Sequence, residues 1–331
     1  MSEETVLRFD CFGGKCGVYV EGDAARADGV ATESAAKAAV RAKASLLLWH
    51  RGFSRFTAAS ELSRLNADPR ECVEVTLMMA RLAATAREAA AWTGGLVDAT
   101  LTAQLSAAGY ERDLPPALPL RLALALAPPR RPAGPATVRG WEQLEGDEAT
   151  RVVRRPPGLP LDSGGLAKGL FADELAATLG PHRSFAIDCG GDIAFGGAAR
   201  LERAIEVQSP FDRAVLHSFS LSEGGVATSG IGRRSWLGPD GRPAHHLLDP
   251  ATGRPAFTGV VQATALAPSA TLAEIHAKAA VLSGPEGAEA WLPWGGMLVF
   301  DDGSHRVLAP PSGGAVRERR CAGGPPAASV A

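Results

Sequence analysis

Leu161 to Asp173 reads LDSGGLAKGLFAD. An apolar strand end meets Asp162, then a Ser163-Gly164-Gly165 corner, then an amphipathic run carrying Lys168 and Asp173. Glycines at such a corner let the backbone turn and approach a ligand where a Cβ would clash. A corner that opens a helix also points amide groups, with the positive end of the dipole, at an anion. Lys168, one turn in, adds a full positive charge, so the set suits a phosphate or pyrophosphate. Neither GxxxxGK[ST] nor GxGxxG is present, which excludes the nucleoside-triphosphate loop and the dinucleotide fingerprint. A glycine turn before an ordinary helix also accounts for this stretch taken alone.

The flanking sequence predicts an α+β fold. Leu166, Leu170, Phe171, Leu175 and Leu179 place an apolar stripe on the helix after the corner. Arg151–Leu161 reads as a hairpin around Pro157-Gly158. Ser184–Asp188, Arg203–Gln208 and Val215–Ser220 alternate as half-buried strands. A helix over Thr271–Leu282 and a strand over Met297–Asp301 follow. Towards the amino terminus, VLRFDCFGGKCGVYVEG reads as a hairpin around Gly13-Gly14. Ala31–His50 and Val75–Trp92 read as helices, the second ending at Gly94-Gly95. Alternation of strands and helices is too irregular for a doubly wound sheet. The expectation is a single domain over 1–309 with two lobes and a loosely structured, solvated Pro/Ala/Arg-rich insertion at about 114–139. A disordered tail is expected over 310–331.

The bulk properties exclude some classes. The chain has 331 residues and a net charge of −2, so it can bury a large core, and the near-neutral charge argues against nucleic acid as the main partner. No apolar run approaches the ~20 residues of a membrane span. The opening MSEETVLRFDCFGG shows neither a basic nor an apolar leader region. The five cysteines, Cys11, Cys16, Cys72, Cys189 and Cys321, are scattered without metal-site spacing. They read as free thiols, and the expected location is cytoplasmic.

Further motifs follow in order. IDCGGDIAFGG (Ile187–Gly197) carries Gly190, Gly191 and Asp192, and GGVATSG (Gly224–Gly230) carries Thr228 and Ser229. HHLLDPATGRP (His245–Pro255) carries two histidines and Asp249. With FSRFTAASELSRLN (Phe53–Asn66) and TGGLVDAT (Thr93–Thr100), they resemble the FAD:protein FMN transferases, the ApbE-like flavin transferases. That family shows D-x-GG-x-AKG-x-x-x-D, GGD, a TSG corner and H-x-x-DP-x-TG in this order. The resemblance spans roughly residues 10 to 305. It implies an ApbE-like fold of mixed, mainly antiparallel sheets with flanking helices. The family's usual Met-Gly-Thr near the first hairpin is replaced by Phe12-Gly13-Gly14.

The resemblance implies transfer of FMN from FAD to a Ser or Thr of an acceptor flavoprotein, with release of AMP. Such a site needs a pyrophosphate cradle, a positive charge and a base. Gly164, Gly165 and Lys168 match the cradle, and Asp173 orients it. Ser60, Asn66, Asp98, Gly190, Gly191, Asp192, Thr228 and Ser229 match further nucleotide-lining positions. His246 is the expected proton-transfer group, because imidazole titrates near neutrality and Asp249 lies one turn away. His245 is expected to face outward or pack. A Ser229/His246/Asp249 hydrolase reading lacks a GxSxG elbow.

TLAEIHAKA (Thr271–Ala279) departs from the family. Relatives hold Mg²⁺ with an Asp and a Thr four residues later, together with a backbone carbonyl near the glycine corner at Gly165. Glu274 and Lys278 stand at the side-chain positions here, and an ammonium repels a cation. Thr271-x-x-Glu274 also reads as a capping box, and Glu274–Lys278 as an i,i+4 pair. Two outcomes follow: a transferase with little Mg²⁺ dependence, or an FAD-binding module or slow FAD pyrophosphatase that has lost transfer.

Overall fold

Phe12 and Gly13 take φ of 52° and 70°. Positive φ at both central residues is the type I′ turn that matches the twist of a two-residue hairpin. It joins β1 (Glu4–Cys11) to β2 (Gly14–Glu21), so the expected hairpin forms around Phe12-Gly13. The computed structural model of the chain describes residues 3–25, 31–111 and 118–310.

Six more strands complete one eight-stranded sheet. They are β3 (Ser184–Asp188), β4 (Asp192–Gly196), β5 (Gly224–Gly230), β6 (Val260–Ala267), β7 (Gly296–Phe300) and β8 (His305–Leu308). Each pairs antiparallel with the next, so spatial order repeats chain order. Seven α-helices are described: α1 (Ala35–Gly52), α2 (Glu61–Ala67), α3 (Leu77–Trp92), α4 (Thr102–Ala107), α5 (Leu120–Leu126), α6 (Ala167–Leu179) and α7 (Ala270–Gly287). The α1 helix packs on β1 and β2, α6 on β3 and β4, and α7 on β5 and β6. Every stripe residue of α6 named above is buried. No described helix is long and apolar enough to cross a membrane.

Side-chain caps set where helices begin. Ser34, Ser60, Thr76 and Ser269 each accept an amide hydrogen bond from the first turn that follows. Ser34 therefore starts α1 later than its alanine-rich pattern suggests, and Ala31–Glu33 forms a short strand with Ala24–Ala25. The capping box expected at Thr271 is corrected: Ser269 caps α7.

Two other expectations change. Val152–Arg154 pairs with Glu145–Asp147 and Cys72–Glu74, in place of a hairpin at Pro157-Gly158. The Asp147 carboxylate accepts the Ala149 and Thr150 amides and so favours the earlier turn. The insertion is less loose than expected, though its arginines Arg121, Arg130, Arg131 and Arg139 are exposed as expected. Leu120 and Ala123 are buried, Arg130 Nε lies 2.8 Å from Asp301 Oδ2, and the Ala133 amide donates to the Leu282 carbonyl at 2.8 Å. Residues 112–117 of the insertion and 311–331 of the tail lie outside the described residues.

Candidate functional site

The glycine corner is held from several directions. Asn66 at the end of α2 donates from Nδ2 to the Leu161 carbonyl and accepts the Leu161 amide at Oδ1, each at 2.8 Å. The Asp162 amide bonds the Ala99 carbonyl at 2.8 Å, and Ser163 Oγ donates to the Phe53 carbonyl at 2.8 Å. Gly164 then faces two adjoining cavities. One is a cleft of about 550 Å³ whose walls include Phe12, His50, Arg55, Phe56, Lys168, Arg233 and Arg234. The other is a chamber of about 70 Å³ bordered by Asp98, Gly165, Arg234, His246 and Lys278, with leucines behind them. Tyr110, Asp162, Gly164 and Arg234 border both.

Charge below the corner is paired. Lys168 Nζ bonds Asp192 Oδ2 and lies 3.9 Å from Glu274 Oε1. Asp192 is buried, and burial drives its carboxyl upward to about 6 against the pull of Lys168. Burial would lower the Lys168 ammonium, but Asp192 and Glu274 outweigh it and raise it. Glu274 is fully buried; Lys278 Nζ lies 2.9 Å from its Oε1, and the Gly169 amide lies 2.9 Å from its Oε2. Burial opposes its ionisation, yet Lys278 and Lys168 hold its carboxyl below the usual value. Glu274 thus caps α6, whose own N-cap position, Leu166, supplies no side-chain bond. A methyl group on Gly165 would lie 3.5 Å from Lys278 Cε, so that ammonium stem runs beside the corner.

His246 borders the chamber, and its Nδ1 is buried without a hydrogen-bond partner. Burial first, then Arg234, His245, Lys278 and Lys168, keeps its pKa well below 6.5. Burial thus disfavours its charged form, against the expectation that it titrates near neutrality. Its pairing with Asp249 is corrected too. Asp249 accepts the Gly134 and Ala251 amides at 2.9 and 3.1 Å and the Thr252 hydroxyl at 2.8 Å, which shapes its own turn. His245 packs edge-on against Phe257.

Several nucleotide-lining expectations fall on residues with structural partners. Asp173 accepts the Ala270 and Thr271 amides and the Thr271 hydroxyl at 2.8, 2.8 and 2.6 Å, capping α7 in place of orienting the corner. Ser60 caps α2, and the Thr228 hydroxyl meets that of Thr264 at 2.8 Å across β5 and β6. Ser229 is buried in β5. Ser60, Asn66, Thr228 and Ser229 border neither cavity. Asp98 does border the chamber; it accepts the Thr100 amide and hydroxyl, and burial raises its carboxyl. Gly190 and Gly191 turn between β3 and β4 with φ of 76° and 103°. Sequence reasoning missed Arg55, Tyr110 and Arg234. The Arg233-Arg234 pair just after GGVATSG was the available signal.

Residues 16–297 match the family model described as the ApbE family. The chain belongs to the ApbE family. Among curated ApbE-like relatives, the FAD:protein FMN transferase of Treponema pallidum is 33% identical over 143 residues, 39% of each chain. That of Escherichia coli K12 is 29% identical over 150 residues, 44% of this chain and 42% of that protein. This chain thus spans about two-fifths of the length of these relatives. The crystal structure of the Thermotoga maritima ApbE protein superposes with a TM-score of 0.71 at 23% identity, covering 92% of this chain and 97% of that one. The apo Pseudomonas stutzeri flavinyl transferase ApbE gives 0.68 at 22% identity, covering 93% and 95%. The α+β fold, helices against a mainly antiparallel sheet, is that of the ApbE structures.

Proposed function

We propose that this ApbE-family chain is an FAD:protein FMN transferase, moving FMN from FAD onto a Ser or Thr of an acceptor protein and releasing AMP. The observation that carries the reading is the junction at Gly164. There a roomy cleft walled by aromatic rings and cations opens onto a chamber holding His246 and Lys278. The ordered motifs and the likeness to FAD:protein FMN transferases support it. The acceptor oxygen attacks the FMN-side phosphorus, the bond from that phosphorus to the bridging oxygen breaks, and AMP departs with the electron pair. His246 is suited to take the hydroxyl proton at its free Nδ1, being neutral across the physiological range. The four described cysteines are all free thiols, which suits a cytoplasmic setting.

The Mg²⁺ that the family resemblance implies does not fit the residues at the equivalent positions. Mg²⁺ demands near-octahedral oxygen ligands. Both oxygens of Glu274 have partners, Gly169 and Lys278, and Lys278 brings a positive charge to the spot. Among the described residues no group of three His, Cys, Asp or Glu is placed to hold a metal. The Lys278 ammonium supplies positive charge beside the corner in its stead, where charge spreads over a transferring phosphoryl group.

The test mixes the protein, FAD and an acceptor bearing a Ser/Thr segment across a Mg²⁺ series. AMP is assayed, and covalent flavin is read by fluorescence on a denaturing gel. The expected result is flavin on the acceptor with shallow Mg²⁺ dependence, which Glu274→Asp with Lys278→Thr makes steep. Bound FAD with no AMP identifies a flavin-binding module, and AMP without covalent flavin a pyrophosphatase. Strict Mg²⁺ dependence in the natural chain overturns the role of Lys278.

A further inference from the structure

We infer that Arg234, and not the lysine of the glycine corner, grips the anionic phosphates of the flavin nucleotide, and that the Phe12–Gly13 turn aims it. The flavin part rests on the transferase reading; the anion part rests on the arrangement of charges alone.

The other cations around the two cavities are engaged. Lys168 bonds Asp192, and Lys278 bonds Glu274. Arg55 lies 3.9 Å from Asp162, sits over the rings of Phe56 and Tyr110, and donates to the Tyr110 carbonyl. Arg233 is exposed and donates to the Gly190 carbonyl at 3.3 Å. Arg234 donates from Nη2 to a neutral group, the Phe12 carbonyl, at 2.8 Å. Among the described residues it makes no ion pair. A guanidinium carries five N–H donors in a planar fork suited to phosphate oxygens, so most of that fork is open to a ligand. Arg234 is also the cation that borders both cavities. A group spanning the junction at Gly164, as two linked phosphates would, meets it on either side.

The turn that holds Arg234 is itself immobilised. Phe12 takes a left-handed φ of 52°, unusual for a bulky residue. Its amide donates to His50 Nδ1 at 3.3 Å, and its ring packs against His50 and Phe171 at 5.3 and 5.5 Å. These contacts fix where its carbonyl points. A methyl group on Gly13 would lie 3.5 Å from Arg234 Nη2, and the φ of 70° there disfavours any side chain.

The experiment titrates FAD, FMN and riboflavin by fluorescence quenching, and inorganic pyrophosphate by calorimetry, into the natural protein, Arg234→Met, Arg234→Lys and Gly13→Ala. Arg234→Met should weaken FAD and pyrophosphate by about 10- to 100-fold and leave riboflavin unchanged, the size of a lost charge-assisted bond. Arg234→Lys should recover part of the loss, since a point charge lacks the fork. Gly13→Ala should fall between Arg234→Met and the natural chain for both FAD and pyrophosphate, with riboflavin unchanged. Arg234 strands no carboxylate when removed, so the thermal midpoint should change little and serves as the folding control. Equal loss for riboflavin and FAD, unchanged FAD affinity, or pyrophosphate binding equal in Arg234→Met and the natural chain overturns the inference. So does a natural protein that binds no pyrophosphate. If the natural chain binds pyrophosphate through Arg234 but no flavin, the transferase reading fails and the anion site stands.

Discussion

Lys168 was legible as a cation beside a glycine corner, but not as one whose charge is matched from below. A sequence shows an ammonium; it does not show that Asp192 and Glu274 arrive under it. Lys168→Met should therefore act on stability first. It leaves Asp192 buried opposite nothing, and breaking such a pair from one side costs about 3–5 kcal/mol. Lys168→Met with Asp192→Asn should recover much of the loss. Urea midpoints of the three forms check this, and a single variant as stable as the natural chain would refute it. The buried histidines govern acid stability. Burial holds His245 at about 3 where the free side chain titrates near 6.5. Its depressed pKa contributes stability above pH 6.5 that is lost as pH falls towards 3. The loss has a limiting slope of ~1.4 kcal/mol per pH unit. His246 and His276, also lowered first by burial, add to it. His245→Leu should flatten the acid limb of stability against pH by one proton, measured by urea unfolding between pH 4 and 7. Parallel curves would mean that His245 is not held neutral in the fold.

Periodicity announced α1, α3, α6 and α7 but not the short α4 and α5, and the long-range caps were silent. The apolar stripe of α6 is a local repeat, so it could be read directly. Asp173 and Glu274 make bonds to residues 97 and 105 positions away, which no window along the chain reveals. These two carboxylates cap α7 and α6 reciprocally, each helix terminating the other's free amides. Gly169 permits it, because a Cβ there would lie 2.7 Å from the Ala270 carbonyl oxygen. Asn66 couples a third element to the same corner. Asn66→Ala removes both bonds to Leu161 and should cost about 1–3 kcal/mol. Hydrogen exchange should quicken at the Leu161 amide while the middle of α6 keeps its protection. Uniform quickening across α6 would place Asn66's effect elsewhere.

Strands such as Ser184–Asp188 could be read singly, whereas Val260–Ala267 and His305–Leu308 went unread, and no strand's neighbours could be told. Val18 of β2 pairs with Ile187 of β3, and the whole run carrying α1 to α6 intervenes. The 114–139 segment was half legible for a related reason. Its arginines are exposed as their composition suggests, but the contacts of Arg130 with Asp301 and of Ala133 with Leu282 are too distant in sequence to read. Burial grades across the sheet: β6 is buried almost throughout under α7, whereas β8 is an exposed edge. Amide exchange should accordingly be slowest in Val260–Ala267 and fastest in His305–Leu308, since protection follows buried contact and pairing. Mass-spectrometric exchange across the sheet checks the ranking. Slow exchange at β8 would point to a covering surface.

Glu274 both caps α6 and holds Lys278 in place by an ion pair, and this binds separate codons into one heritable character. An aspartate at 274, one methylene shorter, would not reach the Gly169 amide and the ammonium together. A threonine at 278 would leave the glutamate with Lys168 alone to balance it. Descent through either single replacement passes a poorly balanced intermediate, so the positions should change in company. In an alignment of relatives, glutamate at 274 should travel with lysine at 278, and aspartate with threonine.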